Sequence, residues 1–436
     1  MAWGLAAALA AGCGRTPDIP SAESRGLVTT DPITPACDTP ALPAFAIDTL
    51  ARGLEVPWDV AFLPGGGALL TERPGRIRRI DAEGRLDPEP WAVVDGLASE
   101  EVGLMGIDTR VADDGGHQVY VAAAFDHAGG SAAVRAAKGL VRRVARLLHP
   151  AWGHPRSLQV LRYEVDPASG AAGPPRPLAR IVPQGSLHGG GALAFGPDGH
   201  LYLTNGDGAD PAPTLRDDAW GGRLLRFTPE GAAAPLQASD RVPAVVRGLR
   251  NSQAFSFSPD GGRIAMLDHG PTGMVNDGGR VGNDEFNLVR PGDDLGWPIV
   301  AGAFEGGDLV SPAVEWTRAI APAGMAVSWQ EASPWGRAAF VSGLLDGRVR
   351  AVRLSDGSPA RVVCEEPVLD RGFGRLRMVA LAPDGSLWVG TSNRDGRGSP
   401  RADDDLLLRL RPLQDEGAQS EAYAGTEQSR SPRSVP

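Results

Sequence analysis

The chain has 436 residues, 42% of them hydrophobic and 22% charged, so it can bury a large core and is not disordered over most of its length. Its net charge of −10 argues against broad nucleic-acid binding, which needs a basic face, and its three cysteines exclude a disulfide-rich scaffold. The 58 glycines and 38 prolines favour many tight turns, and no apolar run reaches the ~18–20 residues that a membrane-spanning helix needs.

The N-terminus resembles an export signal. Residues 3–12 are small and apolar, and Cys13 follows them at once, as in the Ala-Ala-Gly-Cys box of a lipoprotein. We therefore expect residues 1–13 to be a signal peptide with a lipid anchor at Cys13, which would be the protein's only contact with a membrane. The protein would then be exported, as a periplasmic or cell-envelope lipoprotein. An ordinary N-terminal tail is the alternative, because no Lys or Arg precedes the apolar run.

Two further segments are predicted to lie outside the folded domain. Residues 14–45 are rich in Pro, Thr, Ser and Asp and are typical of a linker, while residues 413–436 carry few apolar side chains and are predicted to be a disordered tail. If Cys13 is lipidated, Cys37 and Cys364 are the two thiols that remain in an oxidising compartment. A disulfide between them would tie the linker to the last part of the domain, and two free thiols are the alternative.

A turn followed by an alternating strand recurs between these segments, over residues 46–412. In the clearest copies Pro-Asp-Gly makes the turn, since Pro sets φ, Asp bonds locally and Gly accepts a positive φ. The strand after the turn shows the alternation of a β-strand, as at Leu201 and Leu203. Six irregular copies predict an all-β fold, a six-bladed β-propeller. The copies lie at 62–72, 112–125, 194–207, 256–270, 334–349 and 380–393.

One segment breaks the strand pattern. Residues 132–149 place apolar side chains at helical spacing, with Arg and Lys largely between them, which predicts an inserted amphipathic basic helix. We expect this helix to pack on the side or top of the propeller. Contact with anionic lipid or with an acidic electron-acceptor protein is the alternative.

Counting residues along the hairpins brings polar side chains together. His188 lies nine residues before Pro197, and Asp207 lies nine residues after Asp198, so the two legs of this hairpin have equal length and their far ends meet. In a propeller such ends converge around one mouth of the central channel. The same count brings further residues to that mouth: Trp58, Asp59, Glu72, Arg73, Arg250, Asn251, His269, Arg375, Arg377 and Asn393.

This set of residues indicates a particular chemistry. A His beside an Asp is the arrangement of a general base held in one tautomer. Several arginines around one cavity can bind a compact polyanion through charge-assisted hydrogen bonds. The sequence has no recognisable Ser or Cys nucleophile motif, and no phosphate-binding glycine pattern follows a strand.

Ordered motifs along the chain also resemble a known family, the soluble quinoprotein sugar dehydrogenases, also called the glucose/sorbosone and aldose sugar dehydrogenases. The resemblance covers about residues 50–412, nearly all of the predicted folded part. It implies a six-bladed propeller that holds pyrroloquinoline quinone (PQQ) and Ca²⁺ over its channel. The matching motifs are residues 53–77, 103–107, 188–207, 247–261, 268–271, 283–298, 320–326 and 374–385.

The resemblance implies a role for each residue of the predicted site. His188 would take the proton of the sugar's anomeric hydroxyl while hydride passes to the quinone, and Asp207 would orient and stabilise it. Backbone carbonyls of Gly270 and Pro271 would bind Ca²⁺, which prefers oxygen ligands. An external electron acceptor, a cytochrome or a quinone, would reoxidise the cofactor. The residues implied on the cofactor side are Glu101, Arg250, Asn251, His269, Arg375 and Arg377, while Asp284 and Glu285 would shape the Ca²⁺ loop.

The sequence departs from the family pattern at four places, as a divergent member would. Ala192 and Leu345 stand where the family carries basic residues, and Met378 replaces the Asp after the Arg-x-Arg pair. The loop between Pro271 and Asp284, residues 272–283, is longer than the family's short loop.

These departures leave three functional interpretations. The first is an exported PQQ- and Ca²⁺-dependent enzyme that oxidises an aldose-type sugar to its lactone. The second is a catalytically inactive propeller that binds a carbohydrate or a protein. The third is a Ca²⁺-dependent lactone hydrolase, which would want acidic and Asn ligands around the channel, whereas this mouth is rich in Arg.

Overall fold

A computed structural model describes residues 19–30, 36–38, 42–98, 101–126, 156–181, 187–274, 277–357 and 360–413. The predicted signal peptide, the predicted basic helix at 132–149 and all but the first residue of the predicted tail lie outside the described residues. Within the described part, no helix has the length and apolar character that crossing a membrane requires.

The described chain folds into strands joined by turns, with short 3₁₀ helices at Glu23–Arg25, Ala212–Leu215 and Arg371–Phe373. In chain order the strands are β1 Val28–Thr29, β2 Phe45–Ala51, β3 Pro57–Phe62, β4 Ala68–Glu72, β5 Arg76–Ile80, β6 Ala92–Val93, β7 Leu104–Val111, β8 His117–Asp126, β9 Arg156–Glu164, β10 Arg176–Ile181, β11 Leu193–Phe195, β12 Leu201–Asn205, β13 Arg223–Phe227, β14 Ala244–Arg247, β15 Ala254–Phe257, β16 Ile264–Asp268, β17 Asp284–Val289, β18 Phe304–Glu305, β19 Val314–Trp316, β20 Pro322–Ser328, β21 Ala338–Gly343, β22 Val349–Leu354, β23 Val362–Leu369, β24 Leu376–Leu381, β25 Leu387–Thr391 and β26 Leu407–Pro412.

Six antiparallel sheets of four strands each form the blades of a β-propeller, which confirms the predicted fold. Blades 1, 2, 3 and 5 are β3–β6, β7–β10, β11–β14 and β20–β23, and blade 4 is β15-β16-β17-β19. Blade 6 combines β24, β25 and β26 with β2, the strand from near the start of the domain. This pairing of β2 with β26 closes the ring, because the two ends of the domain share one sheet.

The period-2 pattern of each strand explains how neighbouring blades pack. Leu201 and Leu203 on β12 share one buried cluster with Tyr120 and Leu158 of blade 2. Tyr202 between them faces the other way and packs against Phe257 of blade 4, with ring centroids 4.6 Å apart. Both faces of a central blade strand are therefore buried, and the core lies between the blades.

Aspartate side chains also link successive blades. Asp59 accepts a hydrogen bond from the Ile107 N–H at 3.1 Å, and Asp108 accepts one from the Phe195 N–H at 2.7 Å. Burial raises the pKa of Asp59 to about 7 and that of Asp108 to about 6, although these backbone donors oppose the shift. These carboxyls join blades 1 to 2 and 2 to 3.

The described part of the predicted linker packs on the propeller. Strand β1 pairs with β18, and Leu27 packs against Val300 and Phe304. The disulfide between Cys37 and Cys364, one of the two outcomes expected from the sequence, is formed. The described residues that precede β2 are therefore held against blades 4 and 5.

Candidate active site

The loops before β11 and after β12 bring His188 and Asp207 into contact, as the hairpin count predicted. His188 Nδ1 and Asp207 Oδ1 are 2.7 Å apart, and the two residues are 4% and 7% exposed. A carboxylate only accepts, so Nδ1 carries the proton and Nε2 is left as an acceptor. No described residue hydrogen-bonds Nε2. The arrangement suits a general base.

The backbone around His188 is held tightly. His188 has a positive φ of 51°, which non-glycine residues rarely adopt, and its N–H donates to Glu101 Oε2 at 3.1 Å. Gly206 is required on the partner leg, because a Cβ there would collide with the His188 carbonyl oxygen. Burial raises the pKa of Glu101, but interactions with His188 and Arg397, including a hydrogen bond from each, outweigh burial and hold that pKa below its ordinary value.

Asp207 has partners beyond the imidazole. The Trp297 indole N–H donates to Asp207 Oδ2 at 2.9 Å, and the Ala209 N–H donates to Oδ1 at 2.7 Å. Both carboxylate oxygens are therefore committed, which prevents the side chain from rotating away from His188. Trp297 lies in a motif that the sequence resemblance covered, but its contact across blades gave no signal in the sequence.

Arg377 is a buried cation whose hydrogen-bond partners are neutral. Its Nη1 donates to Gln253 Oε1 at 3.1 Å and its Nε to Ser392 Oγ at 3.3 Å, and its guanidinium lies 4.1 Å from the Trp58 ring centroid. Burial, together with the charge of Arg73, lowers its pKa to about 9. No carboxylate of the described residues lies within ion-pair distance of it. Its surroundings therefore fit an anionic ligand.

The other predicted arginines are already paired. Arg375 Nε donates to Asp395 Oδ2 at 2.8 Å, and Arg250 binds Asp277 through two hydrogen bonds. Nothing in the sequence predicted the role of Asp277, which appeared only as an acidic residue within residues 272–283. The side-chain oxygen Oδ1 of Asn251 accepts a hydrogen bond from the backbone N–H of Gly190 at 3.1 Å, so this side chain stabilises the backbone next to His188.

The residues implied around the metal and beside the cofactor also have partners. His269 Nε2 donates to the Pro322 carbonyl at 2.8 Å, so that nitrogen is not a proton acceptor, and burial lowers the pKa of the ring. The Gly270 N–H donates to Asp284 Oδ1 at 2.8 Å, and the Pro271 carbonyl accepts the Gly282 N–H at 2.9 Å. Among the residues the structure describes, no group of three or more His, Cys, Asp or Glu side chains is placed to hold a metal ion.

The three substituted positions differ in environment. Ala192 and Met378 are buried and line a cavity of about 70 Å³, together with Trp58 and Gln253. Leu345 is 62% exposed and lies at the edge of a larger open cleft of about 950 Å³. That cleft reaches Arg375 and contains several further basic residues, among them Arg318, Arg348, Arg350, Arg397 and Arg401.

Comparison with known proteins decides the family. The model of the family described as Glucose / Sorbosone dehydrogenase matches residues 54–409, almost the whole propeller. The chain belongs to this family. It is accordingly an oxidoreductase of the sugar dehydrogenase type, as the resemblance implied.

Relatives of this sugar dehydrogenase cover nearly the same span. An aldose sugar dehydrogenase of Escherichia coli K12 is 26% identical over 382 residues, which are 81% of this chain and 93% of that protein. The structure of a putative oxidoreductase (glucose dehydrogenase) from Thermus thermophilus is similar with a TM-score of 0.68 and 33% identity, covering 84% of this chain and all of that one. The structure of the PQQ-bound form of an aldose sugar dehydrogenase from Streptomyces coelicolor is similar with a TM-score of 0.67 and 29% identity. The match covers 85% of this chain and 99% of that one.

Proposed function

We propose that this sugar dehydrogenase oxidises an aldose-type sugar at its anomeric carbon to the lactone, with PQQ and Ca²⁺ as cofactors. The observation that carries the proposal is the buried His188–Asp207 pair, which leaves Nε2 as an acceptor; the pair is linked through Glu101, which binds the His188 N–H, to the desolvated guanidinium of Arg377. A proton acceptor beside an anion-binding cation is what oxidation by an acidic quinone requires.

The chain's own residues perform the proton chemistry. His188 Nε2 accepts the hydroxyl proton of the anomeric carbon as hydride leaves that carbon, which turns the C–O single bond into the lactone carbonyl. Asp207 keeps Nδ1 protonated throughout and stabilises the imidazolium that results. A bound quinone supplies the two-electron acceptor for the hydride.

The residues present fit an acidic cofactor at one end of the site. Arg377 offers a desolvated positive charge, and the Trp58 ring and Gln253 hold its guanidinium in place. The PQQ-bound state of the Streptomyces coelicolor relative supports the choice of cofactor. Backbone carbonyls of Gly270 and Pro271 are the proposed Ca²⁺ ligands, and the Pro271 carbonyl would have to accept both the ion and the Gly282 N–H.

The location and the partners belong to the same proposal. The lipoprotein-like pattern at Cys13 supports export to the periplasm or cell envelope, and the Cys37–Cys364 disulfide supports an oxidising compartment. A small-molecule sugar is the substrate, and an external cytochrome or quinone takes the electrons.

A reconstitution experiment tests the proposal. The protein is purified from a host that makes no PQQ and titrated with PQQ and Ca²⁺, while the absorbance spectrum and dye-linked oxidation of aldoses are followed. We expect a saturable spectral change and activity that requires both additions. Absence of binding and activity at saturating PQQ would favour an inactive, ligand-binding propeller.

A further inference from the structure

Arg250 and Asp277 form a buried ion pair beside Asp207, whose backbone N–H donates to the Arg250 carbonyl at 2.8 Å. Arg250 Nη2 donates to Asp277 Oδ2 at 3.0 Å, and Nε donates to Oδ1 at 3.3 Å. Each side chain is 1% exposed. A contact through two parallel hydrogen bonds is the strongest that Arg makes with a carboxylate, and here it uses the donors that a bound anion would need.

Neighbouring groups hold the Asp277 carboxylate in this place. The Thr272 N–H donates to Asp277 Oδ2 at 2.8 Å, and Arg280 Nε donates to the Asp277 carbonyl at 3.0 Å. Arg280 also lies 4.9 Å from the ring centroid of Trp297, on which Asp207 depends. The contact is thus built into the fold around the catalytic pair.

The carboxylate of Asp277 is ionised at neutral pH. Burial raises its pKa, but the hydrogen bonds and the charge of Arg250 outweigh burial and hold the pKa below its ordinary value. The positive charge of Arg250 is therefore neutralised from within the chain. Arg377 differs, because its hydrogen-bond partners are the neutral Gln253 and Ser392.

Asp277 belongs to the loop of residues 272–283, one of the places where the sequence is expected to depart from the family pattern. Arg250 itself lies in a motif that the family shares. The chain therefore carries Arg250 in the family motif together with the Asp277 carboxylate, which forms an ion pair with it.

We propose that Asp277 sets the affinity of this protein for its acidic cofactor, because an anionic group of the cofactor reaches the Nε–Nη2 edge of the Arg250 guanidinium only by displacing the Asp277 carboxylate. The inference rests on the proposed function and adds to it an affinity-determining residue. In the natural protein the attraction for the anion then falls mainly on Arg377.

The test compares PQQ binding by the parent protein and the Asp277→Asn variant. The dissociation constant is measured by equilibrium dialysis at fixed Ca²⁺ without sugar, so turnover plays no part. Release of one charge-assisted contact should lower Kd roughly tenfold to a hundredfold. Asp277→Ser serves as a second variant, and circular dichroism and thermal unfolding confirm that each variant is folded.

Two controls isolate the contact. Asp218→Asn makes the same change in net charge at an exposed pair, where Arg216 donates to Asp218 at 2.8 and 2.9 Å, and it should leave Kd unchanged. Arg250→Gln, introduced into the parent and into Asp277→Asn, completes a double-mutant cycle. The gain in affinity should disappear when Arg250 is absent.

The outcomes distinguish failure of this inference from failure of the proposed function. If the parent binds PQQ and Asp277→Asn binds it equally or more weakly, or if the gain survives Arg250→Gln, the inference is wrong and the proposed function stands. Binding by Asp277→Asn alone supports the inference and overturns PQQ use by the natural protein. Binding by neither overturns both.

Discussion

Trp297 donates its indole N–H to Asp207 across the boundary between blades 3 and 4, at 2.9 Å. Asp207 lies on the hairpin that carries His188, whereas Trp297 follows the third strand of blade 4. The orientation of the proposed base is therefore determined by two blades together. A substitution in blade 4 that removes this hydrogen bond should change the orientation of the His188 ring.

Trp297→Phe tests this relationship. Phe keeps an aromatic ring for Arg250 and Arg280 but cannot donate to Asp207, so the carboxylate gains freedom to turn away from His188. We expect kcat to fall about tenfold, as the loss of one hydrogen bond to a charged group suggests. Trp316→Phe is the matched control, because its N–H donates to Glu365 at 2.7 Å, between blades 4 and 5. Equal effects of the two variants would contradict the assignment.

His188→Ala should remove the proton acceptor and lower kcat by a factor on the order of 10²–10⁴. Quinone binding should change little, since Arg377 is untouched. Asp207→Asn should give a smaller but still large loss, because the ring loses its orientation and its counter-charge. Steady-state rates at saturating PQQ, with Kd measured separately, check both. A His188→Ala enzyme that keeps its kcat would show that another group is the base.

Arg377→Gln should act on binding rather than on the chemical step. It removes a buried positive charge that has no carboxylate partner among the described residues, so the Kd for PQQ should rise roughly tenfold to a hundredfold. The kcat at saturating PQQ should stay close to that of the parent. Arg411→Gln, at the exposed contact with Asp48, controls for net charge. An unchanged Kd in Arg377→Gln would remove this residue from the cofactor site.

Asp59→Asn should change how stability depends on pH. Burial raises the pKa of Asp59 to about 7 in the folded state, above the value of 3.8 expected for the unfolded chain. Folding therefore favours the protonated carboxyl group of Asp59. The resulting stabilisation is fully present below pH 3.8 and is lost as the pH rises from 3.8 to about 7. Asn does not titrate, so the stability of the parent relative to the variant should decrease between about pH 5 and pH 8. Denaturant unfolding at both pH values measures this, and a relative stability that increases with pH would refute it.

The Cys37–Cys364 bond joins residues 327 positions apart in sequence, so its removal should release the unfolded chain from a long-range constraint. Removing a native disulfide typically costs about 2–5 kcal/mol. We expect Cys37→Ser and the reduced parent to show the same lowered Tm, and reductant to have no further effect on the variant. Two titratable thiols from these positions in the unfolded, non-reduced parent would contradict the pairing.

The contact between His188 and Asp207 could be predicted from the sequence because both residues lie on one hairpin. The Pro-Asp-Gly turn sets the register, and equal leg lengths then bring the two ends together without reference to the rest of the fold. The six-bladed architecture was predictable for the same reason, since each repeat is a local signal. The disulfide remained one of two alternatives, because pairing depends on the distance between two remote segments.

The sequence by itself determined the six repeated hairpins and the register that brings His188 to Asp207, because each follows from turns and spacing over short stretches of chain. Only the tertiary structure decided which charges of the predicted site are neutralised. Arg250 meets Asp277 across a loop, Arg375 meets Asp395, and Arg377 hydrogen-bonds the neutral Gln253 and Ser392. Whether a cation is neutralised depends on desolvation and on distances of about 3 Å between groups far apart in sequence, and the packing of the blades sets both.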